Sequence, residues 1–311
     1  MLLQIVQKIV KENNIKKVLL GFSGGVDSTV LAYLFSQIPD VTVRAVYVNH
    51  GISDNAFEWQ SFCEKFSQQY DIEFFARSVC CDTKNRESLE EVARNKRYAV
   101  YQELLQDDEY LVLGHHSDDQ VETVLLQLMR GTGLSGLSGM PTLSNFHNGF
   151  ILRPFLDTSL ETVTKQMIVD YAAQHDIQHI HDESNDSNEY KRNFLRNVII
   201  PQLKEEFGNI NKTISRTANN VAECEKFLQE STPNITTDSI SCVELNKMTD
   251  LQIKYTFKKW LKSNGAQNIS SGKYSEIIDF IRSQKTDTKF KIENKSFVLQ
   301  YKQKHIYFIK K

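Results

Sequence analysis

The stretch Val18–Ser28, V-L-L-G-F-S-G-G-V-D-S, constrains this chain more than any other. Val18, Leu19, Leu20 and Phe22 form a short apolar run of the kind that makes a fully buried strand, and Thr29–Phe35 continues as an apolar helix. Only a tight turn separates them. Gly24 and Gly25 lack Cβ, so the backbone N–H groups there can approach an anion closely. Ser23 and Ser28 add hydroxyls, and the following helix points its positive end at the same spot. The turn reads as a phosphate cradle, with Ser23, Gly24, Gly25, Val26, Asp27 and Ser28 as candidate binding residues. A glycine turn that merely joins strand to helix is the plainer alternative. The cradle is not the common phosphate loop, because no G-K-[ST] follows, nor a dinucleotide fingerprint, because G-x-G-x-x-G is absent.

Beyond the turn, Val41–Val48 is rich in β-branched residues and predicts a second strand ending at Asn49-His50-Gly51. Phe57–Gln69 reads as a helix, Ile72–Val79 as a third strand, Leu89–Leu105 as a helix and Tyr110–Leu113 as a fourth strand. Such alternation predicts an α/β fold with a doubly wound, mostly parallel sheet, whose ligands bind off the carboxyl ends of the strands. Ser23, Asn49, His50, His115 and His116 all fall at such ends and are expected to share one crevice. The glycine-dense segment Arg130–Pro141 is expected to be a mobile loop without a regular element. Ile151–Phe155 predicts a strand, and Leu160–His175 an amphipathic helix capped by Ser159. A polar stretch, Asp182–Asn197, precedes helices over Leu203–Phe207 and Ile210–Gln229. The pattern breaks at Ser231–Asn234. The last part reads as a small α+β unit, with helices over Asp250–Lys262 and Lys273–Ser283 and a meander at Lys289–Ile292, Phe297–Tyr301 and His305–Ile309. The expected division is a catalytic domain over 1–208, a helical connector over 209–232 and a small domain over 233–311.

Of 311 residues, 40% are apolar, enough for one large or two moderate domains with full cores. No run approaches the length of a membrane span, and the start is an amphipathic helix carrying Lys8 and Lys11, not a signal peptide. Five cysteines, an odd number without a C-x-x-C pair or a cysteine close to the loop in sequence, argue against a disulfide framework and against zinc or iron–sulfur sites. A reducing, cytoplasmic setting is expected. The net charge of −2 hides a division: from Pro233 onward fifteen Lys and Arg face seven Asp and Glu, leaving 22 basic against 32 acidic residues before it. A basic end of that kind suits a polyanion, although a lysine-rich solvated surface reads the same way.

Two constellations could carry chemistry. Gly114–Glu122 reads G-H-H-S-D-D-Q-V-E, where Ser117 followed by Gln120 has a capping-box pattern and predicts a helix from Asp118. On it, Asp118 and Glu122 are four apart and Asp119 and Glu122 three apart, so a carboxylate pair shares one face. Acidic residues in a first turn are also ordinary capping. His115 and His116 stand at the strand end, where one of them could contact a nucleotide or be structural. Arg94 and Arg97, three apart on the preceding helix, suit either surface ion pairing with Glu90 or a guanidinium pair beside a phosphate crevice.

Taken in order, S-G-G-V-D-S, H-G at the second strand end, E-x-x-A-R-x-x-R-Y, the G-H-H-x-D-D-Q-x-E-T string with its R-G-x-G-L-x-G-L tail, R-P-F-L, and D-E-S-N-x-x-x-x-Y-x-R-N-x-x-R resemble the tRNA(Ile)-lysidine synthase family. The first string alone marks only the wider N-type ATP pyrophosphatases, the PP-loop superfamily, with its adenine nucleotide alpha hydrolase-like fold. The resemblance covers about residues 17–200, and the basic end is similar to the small tRNA-binding domain that follows in this family. Longer members continue into a further domain with no counterpart here, so a short or shortened form is expected.

The resemblance implies a carbon–nitrogen ligase that uses ATP and Mg²⁺. ATP adenylates the wobble cytidine of the isoleucine tRNA with a CAU anticodon, free L-lysine is joined to C2 of that base, and AMP and pyrophosphate are released, changing the decoding from AUG to AUA. It implies nucleotide contacts at Ser23–Ser28, Asn49, His50 and His115, metal binding at Asp27, and active-site roles for Asp27, Arg94, Arg97, Asp119, Glu122, Asn193 and Arg196. Asp119 and Glu122 are the candidates for handling the lysine amine. A homodimer is compatible with this reading, and no membrane partner is expected. The runner-up readings are a tRNA thiolase of the same superfamily and a non-catalytic ATP-binding module.

Overall fold

Apolar and β-branched runs become the strands of a six-stranded sheet in the computed structural model, which describes residues 1–81, 89–182, 190–266, 269–283 and 290–311. In chain order the first part is α1 (Leu2–Glu12), β1 (Lys17–Gly21), α2 (Val26–Ser36), β2 (Thr42–Asn49), α3 (Ala56–Gln69), β3 (Glu73–Ser78), α4 (Leu89–Leu104) and β4 (Tyr110–Val112). There follow α5 (Ser117–Met129), α6 (Leu134–Leu137), β5 (Leu143–Phe146), β6 (Gly149–Leu152), a 3₁₀ turn Pro154–Leu156 and α7 (Lys165–Gln174). The sheet order is β3-β2-β1-β4-β6-β5, parallel throughout except for the β5–β6 hairpin at one edge. The order reverses between β1 and β4, the place where doubly wound sheets bind ligands.

Apolar side chains cover both faces of the sheet. Val18, Leu20, Val30, Phe35 and Val112 belong to the core that α1, α2 and α7 complete, and Leu19, Val46, Leu111 and Tyr101 to the one under α4. Leu19 and Leu20 point to opposite faces because strand side chains alternate, and both are buried, so the strand reads as a continuous apolar run. At the amino ends of the strands, buried Arg44 pairs with Glu109 at 3.0 Å and is purely structural in position, away from the carboxyl-end crevice.

Several expectations are corrected. The helix expected from Leu160 begins at Lys165, capped by Thr164 and not Ser159; Val163 lies ahead of it, buried, with its carbonyl accepting a hydrogen bond from Ser117 N–H at 3.0 Å. The predicted strand Ile151–Phe155 ends at Leu152, where Pro154 starts the 3₁₀ turn. The glycine-dense segment contains α6, and its end is gripped by Gln120, whose side chain bonds both Met140 O and Met140 N. Of the polar stretch, residues 183–189 lie outside the described residues, as does Lys289 of a predicted strand.

Helix α8 (Lys191–Phe194), a π turn over Leu195–Ile199, α9 (Ile200–Phe207) and α10 (Ile210–Glu230) follow. The chain divides within α10 into two compact units, Met1–Asn220 and Val221–Lys311. The second unit holds β7 (Ser239–Ser241), α11 (Cys242–Leu245), α12 (Asp250–Ser263), α13 (Ser271–Ser283), β8 (Lys291–Glu293), β9 (Phe297–Lys302) and β10 (His305–Lys310). Its antiparallel sheet runs β7-β10-β9-β8 and closes over a core of Trp260, Phe257, Phe297, Ile277 and Leu299. Lys291, Lys295, Lys302, Lys304, Lys310 and Lys311 stay exposed on it. Among the described residues no helix is long and apolar enough to cross a membrane.

Candidate active site

The glycine turn between β1 and α2 is held by its own hydroxyls. Ser28 Oγ donates to Gly25 O at 3.0 Å and accepts from Ser23 N–H at 3.2 Å, while Thr29 Oγ1 donates to Gly24 O at 2.9 Å. Gly24 has φ +82, a conformation side chains disfavour, and an added Cβ would collide with Ile180. Ile180 N–H in turn donates to Gly24 O at 2.9 Å, so the turn is tied to the chain that follows α7.

Cys63 of α3 corrects the expectation that no cysteine stands near the loop, since its Sγ would lie 3.1 Å from a Cβ on Gly24. The thiol is fully buried and burial pushes its pKa up to about 12, so it packs and does not react.

A second turn comes close to the first because Gly114 has no side chain: a Cβ there would sit 3.1 Å from the Asp27 backbone. This brings the start of α5 against the start of α2. The cap of α5 is His116, not Ser117. Asp119 at the third helical position accepts from His116 N–H at 3.1 Å, while Ser117 Oγ is taken by Asn211 Nδ2 at 2.9 Å. The His116 ring lies among three carboxylates, with Nε2 3.6 Å from Asp27 and 3.4 Å from Asp119, and Nδ1 3.5 Å from Asp118. Burial opposes its imidazolium, but the Asp119, Asp118 and Asp27 charges outweigh burial and raise its pKa. Asp118 and Asp119 are held below the usual carboxylate range despite burial, the first by His116, Lys204 and the Lys165 N–H, the second by His116, His115 and Arg192.

Asp119 and Glu122 do share a face, and it is occupied. Arg192 Nε donates to Glu122 at 2.6 Å and its Nη2 to Asp119 at 3.2 Å; Arg196 Nε donates to Glu122 at 2.6 Å and its Nη2 reaches Asp119 at 3.5 Å. Arg192 ends up beside Arg196 across the start of the π turn. Arg192 is a site residue that sequence reasoning missed, although its i,i+4 spacing from Arg196 in Y-x-R-N-x-x-R signals it. Asn193 lies between them in the chain and is half-buried.

Two lysines were also not foreseen. Lys165 Nζ donates to both Asp27 oxygens at 2.9 and 2.8 Å, its backbone N–H donates to Asp118 at 2.8 Å, and Lys204 Nζ donates to Asp118 at 2.6 Å. No residue pattern announces either, since both are distant in sequence from their partners. Asp27, Asp118, Asp119 and Glu122 thus face Lys165, Lys204, Arg192 and Arg196.

The remaining candidates line the crevice flanks. Asn49 Oδ1 accepts from Gly51 N–H at 2.8 Å, fixing the turn that presents His50. His50 borders a cleft of about 520 Å³ off β2 and β3, with Cys80, Cys81 and Ser78. Burial, aided by the Arg97 charge, lowers its pKa to about 4; burial lowers that of His115 to about 3, with Arg153, Arg192 and Arg94 adding to the effect. Both imidazoles are neutral at pH 7 and can accept or donate one hydrogen bond each. Arg94 lies over the Tyr98 ring at 4.8 Å and donates to the Tyr98 hydroxyl at 3.3 Å, an arrangement that takes the place of the surface pairing with Glu90.

A strand, a glycine cradle and a helix, at the reversal point of a parallel sheet, define a nucleotide-binding domain of the doubly wound class, and the model of the PP-loop domain matches residues 2–203. A tRNA(Ile)-lysidine synthase of Legionella pneumophila strain Lens is 37% identical over 95% of this chain and 69% of its own length; that of Francisella tularensis subsp. novicida strain U112 is 36% identical over 91% and 72%. The chain belongs to the tRNA(Ile)-lysidine synthase family of PP-loop proteins. Among solved structures, the U34-tRNA thiolase NcsA of Methanococcus maripaludis with its [4Fe-4S] cluster shares the fold, with a TM-score of 0.57, 21% identity, and coverage of 71% of this chain and 78% of that one.

Proposed function

We propose that this chain ligates lysine to C2 of the wobble cytidine of the isoleucine tRNA with a CAU anticodon, by way of an adenylated tRNA. What carries the reading is the closeness of the glycine cradle to a buried carboxylate pair: one His116 ring spans from Asp27, in the cradle, to Asp119. The two half-reactions need those two parts side by side.

In the first step the C2 oxygen of cytosine attacks the α-phosphorus of ATP and pyrophosphate leaves. The N–H groups of the Gly24–Gly25 turn, the Ser23 hydroxyl and the start of α2 receive its charge, stabilising the departing group. His50 and His115, neutral, suit hydrogen bonding to the nucleotide, and Arg94 and Arg97 supply positive potential at the flank. In the second step the ε-amine of lysine adds to C2 and AMP leaves with the former C2 oxygen, a far better leaving group than oxide. The amine must lose a proton; Asp119 and Glu122 hold the ammonium or take up that proton, with Arg192 and Arg196 yielding their places to the substrate and turning to its phosphate.

Family membership implies magnesium. Among the described residues no group of three or more His, Cys, Asp and Glu could hold a metal ion. Magnesium with a nucleotide is, however, commonly held by one or two carboxylates plus phosphate oxygens, and the Asp27 carboxylate, at the cradle and partly exposed, fits that role. When bound, the ion would neutralise phosphate charge. The exposed lysines of the second unit supply contacts to the tRNA backbone.

The test is to incubate the chain with ATP, Mg²⁺, labelled lysine and bulk tRNA. Label should enter tRNA with AMP and pyrophosphate released in equal amounts. ADP and orthophosphate as primary products would refute the reading. A thiolase would instead put sulfur into tRNA with no lysine label; the thiol beside the cradle is the inert Cys63, and Cys80 and Cys81 border the His50 cleft.

A further inference from the structure

We propose that Lys165 is a phosphate-binding side chain of the nucleotide site, kept on Asp27 until the pyrophosphate end of ATP takes its ammonium. The inference rests on the ATP-using function proposed above and adds a residue to it.

Lys165 opens α7, and its backbone is fixed on both sides. Its N–H donates to Asp118 at 2.8 Å, the Val163 carbonyl accepts from Ser117 N–H at 3.0 Å, and Thr164 caps the helix. The base of the side chain is therefore mounted rigidly beside the start of α5. Its ammonium sits on both oxygens of Asp27, a residue of the glycine cradle itself and next in sequence to Ser28, whose hydroxyl shapes that cradle. Three helix starts, those of α2, α5 and α7, are joined through these bonds, so their positive ends favour an anion at this point.

The Arg44–Glu109 pair is enclosed and closed to any ligand, whereas the Lys165–Asp27 pair is open to one. Lys165 is 45% exposed and Asp27 30%, and Lys165 borders an open cleft of about 390 Å³ with Thr164, Lys204 and Asn209. An exposed pair of this sort holds weakly, so exchanging a carboxylate for a phosphate oxygen costs little. The exchange also frees Asp27, which cannot serve a cation while an ammonium covers both its oxygens. One movement of Lys165 supplies a phosphate contact and uncovers a carboxylate.

The experiment compares the full chain with Lys165→Met and Lys165→Arg, measuring binding of inorganic pyrophosphate by calorimetry with Mg²⁺ present, alongside the KM values for ATP and lysine. Melting curves check that each variant is folded. Lys165→Met should weaken pyrophosphate binding by about tenfold or more, the loss of one charge-assisted hydrogen bond. The ATP KM should rise with it, the lysine KM should stay unchanged, and Lys165→Arg should recover most of the affinity. Unchanged pyrophosphate affinity in Lys165→Met would overturn the proposal and leave the function standing. If the parent chain itself binds neither pyrophosphate nor ATP, the functional reading falls and this proposal with it.

Discussion

Replacing Glu122 by Gln separates the structural part of the carboxylate face from its chemical part. The Glu122 side chain is fully buried and accepts hydrogen bonds at 2.6 Å from Arg192, and at 2.6 and 3.1 Å from Arg196. Glutamine keeps the shape and one accepting oxygen but turns an N–H₂ donor toward the other guanidinium. Breaking a buried pair outright costs about 3–5 kcal/mol, and one hydrogen bond to a charged group about 1.5–3 kcal/mol. Arg196 is 38% exposed and can turn to water, which puts the loss near the lower range, about 2–3 kcal/mol. For a domain of this size that is a fall in Tm of about 4–12 °C. Chemically, adenylated tRNA should still form and then accumulate, because lysine transfer has lost the charge that attracts its ammonium. A rapid-quench measurement of adenylated tRNA, with and without lysine, reads this directly, with Asp27→Asn as the comparison expected to depress adenylation itself. An unchanged Tm with full lysine transfer, or an adenylation defect as complete as that of Asp27→Asn, would refute the division of roles.

Three further outcomes are expected. Gly24→Ala should abolish nucleotide binding at equilibrium, since the residue has φ +82 and its Cβ would meet Ile180; retained ATP affinity in a binding assay would contradict the cradle. Stability should fall as pH drops below about 6.5, by up to about 1.4 kcal/mol per pH unit for His115, because the unfolded chain takes up a proton there that the folded one refuses down to about 3. His116, with its raised pKa, works in the opposite sense and loses its contribution as pH rises through that value; urea melts from pH 5 to 8, with and without His115→Gln, check the balance. Changing Lys302, Lys304, Lys310 and Lys311 to Glu should weaken tRNA binding and flatten its salt dependence by about 0.7–0.9 for each phosphate no longer neutralised, leaving ATP binding intact; an unaltered slope in filter binding would count against a tRNA-facing second unit.

The parallel strands were legible because each is a β-branched or apolar run bounded by polar residues, and the cradle because six specified residues sit between strand and helix. β5 and β7 were not, since L-S-N-F and S-I-S are short edge segments of mixed polarity. Helix starts failed where a distant partner decided. Ser117 looks like a cap, but Asn211 takes its hydroxyl, and Gln120 looks like the other half of a capping box, but Met140 takes its amide. The carboxylate pair could be read from i,i+3 spacing. Its lysine and arginine partners could not be assigned, because no local rule links Asp27 to Lys165 or Glu122 to Arg192.

The π turn at Leu195–Ile199 makes this helix sensitive to phase. One extra residue per turn shifts the angular register by roughly 100° relative to an uninterrupted α-helix. Ahead of it, Arg192 turns toward Glu122; beyond it, Ile200 and Leu203 turn toward Val121 and Leu125 of the same α5. In an uninterrupted α-helix Arg192 and Leu203, eleven residues apart, would fall within about 20° of each other; the π turn offsets them, so the guanidinium meets Glu122 while the apolar side chains meet Val121 and Leu125. Deleting a single residue between 195 and 199 should therefore do more harm than a substitution there, because it removes that offset and turns Ile200 and Leu203 by roughly 100° away from Val121 and Leu125 while Arg192 stays on Glu122.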